Sequence, residues 1–272
     1  MNRKYLYPIL VVLVTILLYY ADEYVDRENE SYPQTSKSKS GFSTEEFNNT
    51  FLPSSTTGVV VDHEFYSLSY AELHEQSEWV AYALTRDHLV SNNFERPYFI
   101  EDRSVKSKSA DWRNYKNSGY DRGHLCPAGD RQFNYDAFHE TFLTSNISPQ
   151  DPKFNAGIWN SLEQKVRFWA EKYDGVYVIT GGILEEGLLT IGDERVSVPK
   201  RFYKIVVDAT GGNYKSIAFI IPNTTSNASF YDFVVNIDEI EDQTGIDFFP
   251  KFSEEIEKEM EATIDIKAWG KR

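Results

Sequence analysis

Short apolar runs bounded by turn residues recur along the body of the chain, at Gly58 to Asp62, Glu78 to Leu84, Gly175 to Ile179, Phe202 to Asp208 and Ser216 to Ile221. Each has the length and flanks of a β-strand. The period then changes. Between Asn155 and Lys172, the residues Ile158, Trp159, Leu162, Val166 and Trp169 recur at helical spacing and form one apolar stripe. Two more helices are predicted near the C-terminus: Asp238 with Glu241 has the form of a capping box and Gly245 of a stop, while Ser253 followed by Glu254 and Glu255 marks a second start. Strands interrupted by helices, without regular βαβ alternation, predict an α+β fold around a mostly antiparallel sheet.

The N-terminal part has a different pattern. Tyr5 to Tyr20 carry no charge, follow Arg3 and Lys4, and precede the acidic run ADEYVDRENE. This predicts a membrane anchor over residues 1–21, with membrane contact through residues 5–20. The flanking charges keep the N-terminus cytoplasmic and place the rest of the chain on the periplasmic or extracellular side. The alternative is secretion after signal cleavage; Ala21 offers a small residue for the cut, but bulky Tyr19 stands two positions before it. Residues 22–55 are rich in Ser, Thr, Asn and Glu and predict a flexible polar tether. No repeat or Pro/Gly-rich break divides 56–272, which reads as one domain.

Composition narrows the chemistry. A chain of 272 residues with 18 Phe, 18 Tyr and 5 Trp can bury a sizeable core, which excludes a disordered or collagen-like protein. The single cysteine, Cys126, excludes an internal disulfide and a zinc site built on thiolates. The net charge of −14 argues at face value against a phosphate-rich partner. Its distribution changes that reading. Between Asp232 and Asp265 there are 12 acidic and two basic residues, whereas Arg96 to Arg131 hold eight basic and five acidic ones. The acidity sits in the C-terminal helices, away from the locally basic stretch.

That stretch contains SGYDRGHLCPAGDR, residues 118–131. It combines a candidate general base, His124, with a candidate anion clamp, Arg122: a neutral imidazole can accept a proton from water near pH 7, and a guanidinium can hold phosphate oxygens. Taken alone, a histidine in such a turn-rich segment is more often a hydrogen-bonded structural residue. On the helix that follows, Asn155, Glu163 and Arg167 form a polar stripe beside the apolar one. Regular helical rise puts Asn155 and Glu163 roughly 12 Å apart, too far to share one small ion directly. They suit a hydrated Mg²⁺, with Asn155 as direct ligand and Glu163 acting through water. Read in isolation, the same residues are an N-cap asparagine and a solvated Glu/Arg pair. Cys126 is read as a small packing residue, because its place two residues from His124 does not supply the separately held base of a thiol hydrolase.

The segments YDRGHLCPAGD, TSNISPQ and NAGIWNSLE together resemble the DNA/RNA non-specific endonucleases, a metal-dependent family. DRGH, an asparagine 31 residues on and a glutamate eight further make a specific combination, and the DRGHLCPAGD form is most similar to bacterial members. The resemblance implies a ββα-metal (His-Me finger) site on a central sheet flanked by helices, and a membrane-anchored endonuclease that cuts DNA and RNA to 5′-phosphate products. By position it implies His124 as general base and Asn155 as direct ligand of Mg²⁺, with Mn²⁺ as a substitute. It implies Glu163 as the carboxylate orienting metal-bound water, Arg122 and Arg167 as phosphate contacts, and Arg96 as a further one upstream. Asp121 completes the motif structurally, and Asn146 holds a turn. A non-catalytic nucleic-acid-binding surface protein on the same scaffold is the alternative.

Overall fold

The computed structural model describes residues 50–210 and 214–270. The predicted anchor, residues 1–21, and most of the predicted tether lie outside them. Eleven strands are present among the described residues: β1 (Val60–Asp62), β2 (Ser67–Ala71), β3 (Gln76–Thr85), β4 (Asp121–His124), β5 (Ile147–Gln150), β6 (Gly175–Gly182), β7 (Thr190–Ile191), β8 (Val196–Ser197), β9 (Arg201–Asp208), β10 (Lys215–Pro222) and β11 (Val234–Val235). Seven of them form one sheet in the order β1-β2-β3-β6-β9-β10-β11, antiparallel at every pairing. The principal helices are α1 (Tyr135–Glu140), α2 (Asn160–Lys172), α3 (Ile237–Thr244) and α4 (Glu254–Ala262). The α+β architecture matches the expectation from the sequence.

Period-two alternation in the central strands supplies both faces of this sheet. Val80, Tyr82 and Leu84 of β3, with Val176 and Val178 of β6, face one layer, where they meet Leu162, Val166 and Trp169 of α2. The alternate residues Trp79, Ala81, Tyr177 and Ile179 face the other, where they meet Ile237 and Ile240 of α3 and Met260 of α4. Phe51 joins this second layer, buried and stacked on Tyr177 with centroids 3.9 Å apart. Trp79 Nε1 donates to the Ser54 carbonyl at 2.8 Å. The last residues of the segment that reads as tether are therefore packed against the sheet.

The remaining ribbon, β4 paired with β5, carries the DRGH motif and leads into α2, a ββα arrangement. Gly123 is opposite Ser148, and a Cβ at Gly123 would fall on the buried Gln150 side chain, so only glycine lets the two strands close. Asp151 caps the turn Pro152–Phe154 by accepting from the Lys153 and Phe154 N–H groups at 2.9 and 3.1 Å. Here the chain departs from the expected regular helix. Asn155–Trp159 is a wider, π-type turn with Gly157 at φ −102° and ψ −110°, and regular α-helix begins only at Asn160.

Two further differences have simple causes. Strand β2 does not stand out as apolar because Ser67 and Ser69 are inside it; they are buried by bonding carboxylates, Ser67 Oγ to Asp62 at 2.7 Å and Ser69 Oγ to Glu78 at 2.6 Å. At α3 the N-cap is Asn236, whose Oδ1 accepts from the Glu239 N–H at 3.0 Å, rather than Asp238; the expected stop, Gly245, is in place at φ 71°.

Asn146 holds the turn, as expected. Its Oδ1 accepts from the Cys126 N–H at 2.8 Å, and its Nδ2 donates to the Cys126 and Thr141 carbonyls, both at 2.9 Å. Asn146→Ala would leave these three buried backbone groups without partners and should destabilise the fold by roughly 3 kcal/mol. Urea denaturation checks this; a loss below about 0.5 kcal/mol would mean that water replaces the amide.

Candidate active site

The β4 residues Arg122 and His124 stand two apart, on one side of the ribbon, and both meet the same aromatic surface. The His124 ring packs against Phe99 and Phe142, with centroids 5.5 and 5.0 Å away. The Arg122 guanidinium lies 4.9 Å from the Phe99 centroid and 5.8 Å from that of Trp112. Arg96, far off in sequence, completes the group: its guanidinium is 5.5 Å from the Phe142 centroid and 5.9 Å from that of Phe99. The two phenylalanines thus gather one imidazole and two guanidiniums.

Burial, reinforced by Arg96 and then Arg122, pushes His124 down to about 3. The imidazole is therefore neutral at pH 7 and free to accept a proton. Its Nε2 is buried with no hydrogen-bond partner among the described residues, which leaves Nδ1 as the nitrogen that can reach water or substrate.

Beside this group opens a cleft of about 560 Å³, lined by Arg96, Trp112, Tyr115, Lys116, Asn117, Tyr120, Asp121, Arg122 and Asn155. Three of these side chains are basic and one is acidic, a cationic cleft in an acidic chain. Asn155 Nδ2 donates to Asp121 Oδ2 at 3.0 Å, which orients the carboxamide and leaves Oδ1 as its available oxygen. Asp121 is thereby a positioning residue for Asn155. The donor set fits a hard, hydrated divalent ion: one oriented amide oxygen with a carboxylate alongside, and no thiolate or imidazole cluster. Among the described residues, sets of three or more acidic or histidine ligands occur only near Glu261, so an ion at Asn155 would keep most of its waters.

Glu163 and Arg167 do not line this cleft. Arg167 Nε donates to Asp130 Oδ1 at 2.6 Å, and Asp130 also accepts from Tyr82 Oη at 3.0 Å. Arg167 is thus engaged in a largely buried ion pair rather than gathered with Arg96 and Arg122. Glu163 belongs to the same buried polar group. Burial pushes its carboxyl up to about 7, with Lys204 and Arg167 opposing the rise and Asp130 adding to it. Lys204 is a residue that sequence reasoning missed. It sits on β9 between Phe202 and Val206, faces α2, and has its fully buried ammonium 4.7 Å from the Trp159 ring centroid. A lysine at an inward-facing position of a central strand is the signal that could have found it. Phe99 and Phe142 left no comparable trace, because a phenylalanine in a loop looks like ordinary core. Cys126 is buried, and burial pushes its thiol up to about 12, which excludes a thiolate nucleophile at neutral pH.

A ββα unit on an antiparallel sheet, with histidine, asparagine and arginines converging on one cleft, defines the ββα-metal nuclease class. The model of the DNA/RNA non-specific endonuclease family matches residues 43–255, and the chain belongs to that family. Relatives include "Nuclease EXOG, mitochondrial" of Danio rerio, 34% identical over 209 residues (70% of this chain, 61% of the relative), and "Endonuclease G, mitochondrial" of Homo sapiens, 32% identical over 202 residues (69% and 68%). "Nuclease" of Nostoc sp. is 34% identical over 215 residues (74% and 76%). A crystal structure of an EndoG/EndoGI complex is similar in fold, with a TM-score of 0.67 and 31% identity over 71% of this chain and 86% of that one. The chain spans 61%, 57% and 55% of the length of three EXOG relatives. The family reading and the fold reading from the sequence are both borne out.

The localisation expected from the sequence is corrected. The relatives from Danio rerio and Homo sapiens are named as mitochondrial nucleases, and among the described residues no helix is long and apolar enough to cross a membrane. The sixteen residues Tyr5 to Tyr20, on which membrane contact and anchoring outside the cytoplasm rested, lie outside the described residues.

Glu163 makes stability depend on pH in a defined direction. Its carboxyl is raised in the folded chain, so the folded state holds more protons than the unfolded state between the ordinary glutamate range and about 7. This contribution is complete at low pH and is lost as pH rises through about 7. In chelator, wild type should lose stability relative to Glu163→Gln between pH 4.5 and 8, read from urea midpoints. Parallel pH profiles of the two proteins would contradict it.

Proposed function

We propose that the chain is a metal-dependent, sugar-non-specific endonuclease that hydrolyses phosphodiester bonds of DNA and RNA. The observation that carries this reading is the gathering of a neutral His124, Arg96 and Arg122 on the Phe99–Phe142 surface, beside the cleft that Arg96 and Arg122 line with the oriented Asn155 amide. Phosphodiester hydrolysis needs a base for the attacking water, positive charge around the phosphate, and stabilisation of the departing oxygen.

His124 accepts the proton of the attacking water at Nδ1; its low affinity for protons keeps it unprotonated at neutral pH. Arg122 and Arg96 bind the non-bridging phosphate oxygens, and Lys116 extends the cationic wall along the strand. Asn155 Oδ1, oriented by Asp121, would hold Mg²⁺ or Mn²⁺, which when bound would supply the positive charge that phosphodiester hydrolysis needs. Glu163, one helical segment on from Asn155, would be the carboxylate that acts on the ion through water, with Lys204 and Arg167 favouring its charged form. Arg167 acts through this buried group and its pair with Asp130. Cleavage on the 3′-oxygen side leaves 5′ phosphates. Phe51, which precedes the expected domain start at residue 56, is already part of the core.

Linear DNA and RNA should both be cut by the full chain with Mg²⁺ and left intact in chelator, and His124→Ala should lower the rate by on the order of 10²-fold or more. Gel assays over several divalent metals test this. Intact substrate with every metal, or an unimpaired His124→Ala protein, would refute the reading; metal-independent binding without cleavage would make the protein a nucleic-acid binder.

Ionic strength gives an independent test. With a net charge of −14 and three basic side chains lining the cleft, attraction for substrate is local, and cleavage at sub-saturating substrate should fall several-fold between about 50 and 200 mM salt. A flat initial-rate profile would mean that substrate capture does not depend on Arg96, Lys116 and Arg122.

A further inference from the structure

Near the edge of the sheet that β1, β2 and β3 form lies a second cavity, which shares no lining residue with the catalytic cleft. It measures about 330 Å³, within the range of small-ligand sites, and its walls include Thr56, the turn Glu72–His74 and Glu78. A β-bulge puts Glu78 there. Ser69 pairs with Trp79 and Tyr70 with Ser77, so Glu78 is the extra residue of β3, and a bulge re-aims the side chain that it inserts. Only 5% of Glu78 is exposed. Its Oε1 accepts from the Thr56 N–H at 3.0 Å and from Ser69 Oγ at 2.6 Å, and its Oε2 accepts from the Thr56 hydroxyl. All three donors are neutral. No lysine or arginine lines the cavity, and among the described ion pairs none includes Glu72 or Glu78. Burial holds His74, also in the wall, below the ordinary histidine range, so its imidazole is neutral at pH 7.

A buried carboxylate held only by neutral donors in the wall of a cavity attracts a cation. The acceptor geometry restricts which one. Oε1 has used both of its lone pairs and Oε2 keeps one, so a guanidinium, which binds through two oxygens at once, fits less well than an ammonium. Ca²⁺ would need six to eight oxygens, whereas Val59, Leu184 and Ile246 make part of the wall apolar. A methylene chain suits that wall. Glu72 supplies a second acid, exposed at the mouth of the cavity beside Leu73, which is itself 83% exposed. We propose that this cavity binds an alkyl diamine, with one ammonium on Glu78 Oε2, the other on Glu72, and the methylene chain against Val59, Leu184 and Ile246. Charged ends on an apolar spacer match two carboxylates on an apolar wall. The site is independent of the catalytic cleft and does not rest on the nuclease reading.

The test titrates the full chain with cadaverine at pH 7.5, in chelator and about 150 mM NaCl to screen diffuse attraction, and follows heat and Tm together. Wild type should bind one equivalent and gain roughly 5–10 °C at a hundredfold excess over Kd. Pentylamine, with a single ammonium, should bind at least tenfold more weakly, and the neutral diol of the same length should give no heat. Glu72→Gln, at an exposed position, should weaken cadaverine at least fivefold with the ligand-free Tm unchanged, and Glu78→Gln should abolish binding. Because Glu78 also holds Thr56 and Ser69, Leu184→Trp serves as a second block: it fills the cavity, touches neither carboxylate and should abolish binding too. Glu254→Gln, an equal change of charge at an exposed position on α4, should bind like wild type. The proposal is overturned if cadaverine gives neither saturable heat nor a Tm shift, or if Glu72→Gln or Leu184→Trp binds it as wild type does. Equal weakening in Glu254→Gln would also overturn it, by showing that the diamine answers only to net charge.

Discussion

Hydrogen bonds of 2.8 and 2.9 Å join the Asn146 carboxamide to the N–H and C=O of Cys126, two residues beyond His124. A third bond, to the Thr141 carbonyl, ties the same amide to the end of α1. An irregular, buried backbone segment has no strand ladder to satisfy its polar groups, so a side chain must do it. This one amide sets where the chain leaves β4, and with it the direction of His124. The Ile147–His124 pairing then places β5, and the Asp151 cap starts the turn that presents Asn155. The positions of the cleft, His124 and Asn155 all follow from that local constraint.

Electrostatics in this protein work by segregation. The chain as a whole is acidic, yet Arg96, Lys116 and Arg122 share one cleft, and burial of His124, with Arg96 and Arg122 beside it, keeps the imidazole unprotonated. The acids crowd around α3 and α4, on the opposite layer of the sheet. Among the described ion pairs, none joins Arg96, Lys116 or Arg122 to an acid of α3 or α4, so neither population neutralises the other by direct pairing. A net charge alone therefore misstates the field that a ligand meets at the cleft.

Beneath α2 the core contains a polar group that packing alone would not require. Asp130 bridges Tyr82 and Arg167, and the Lys204 ammonium lies over Trp159 near Glu163. Buried charges of this kind stabilise little by themselves, because desolvation offsets their attraction. Their effect is to fix the protonation and position of Glu163 from below, through residues on β3, β9 and the loop after β4.

Much was legible from local pattern. Short apolar runs marked β3, β6, β9 and β10, and period 3.6 marked α2; a run of strand length and an apolar helical stripe are local features, so such signals survive in one dimension. The combination of DRGH, Asn155 and Glu163 marked the ββα unit through its resemblance to the DNA/RNA non-specific endonucleases. Tertiary structure alone decided the rest. It brought Arg96 to His124 through Phe99 and Phe142, drew Arg167 onto Asp130, put Lys204 near Glu163 and gathered four acids around Glu261. These contacts join residues that no short-range period relates, and their energies come from burial and Coulomb interactions, which depend on distance in space rather than along the chain.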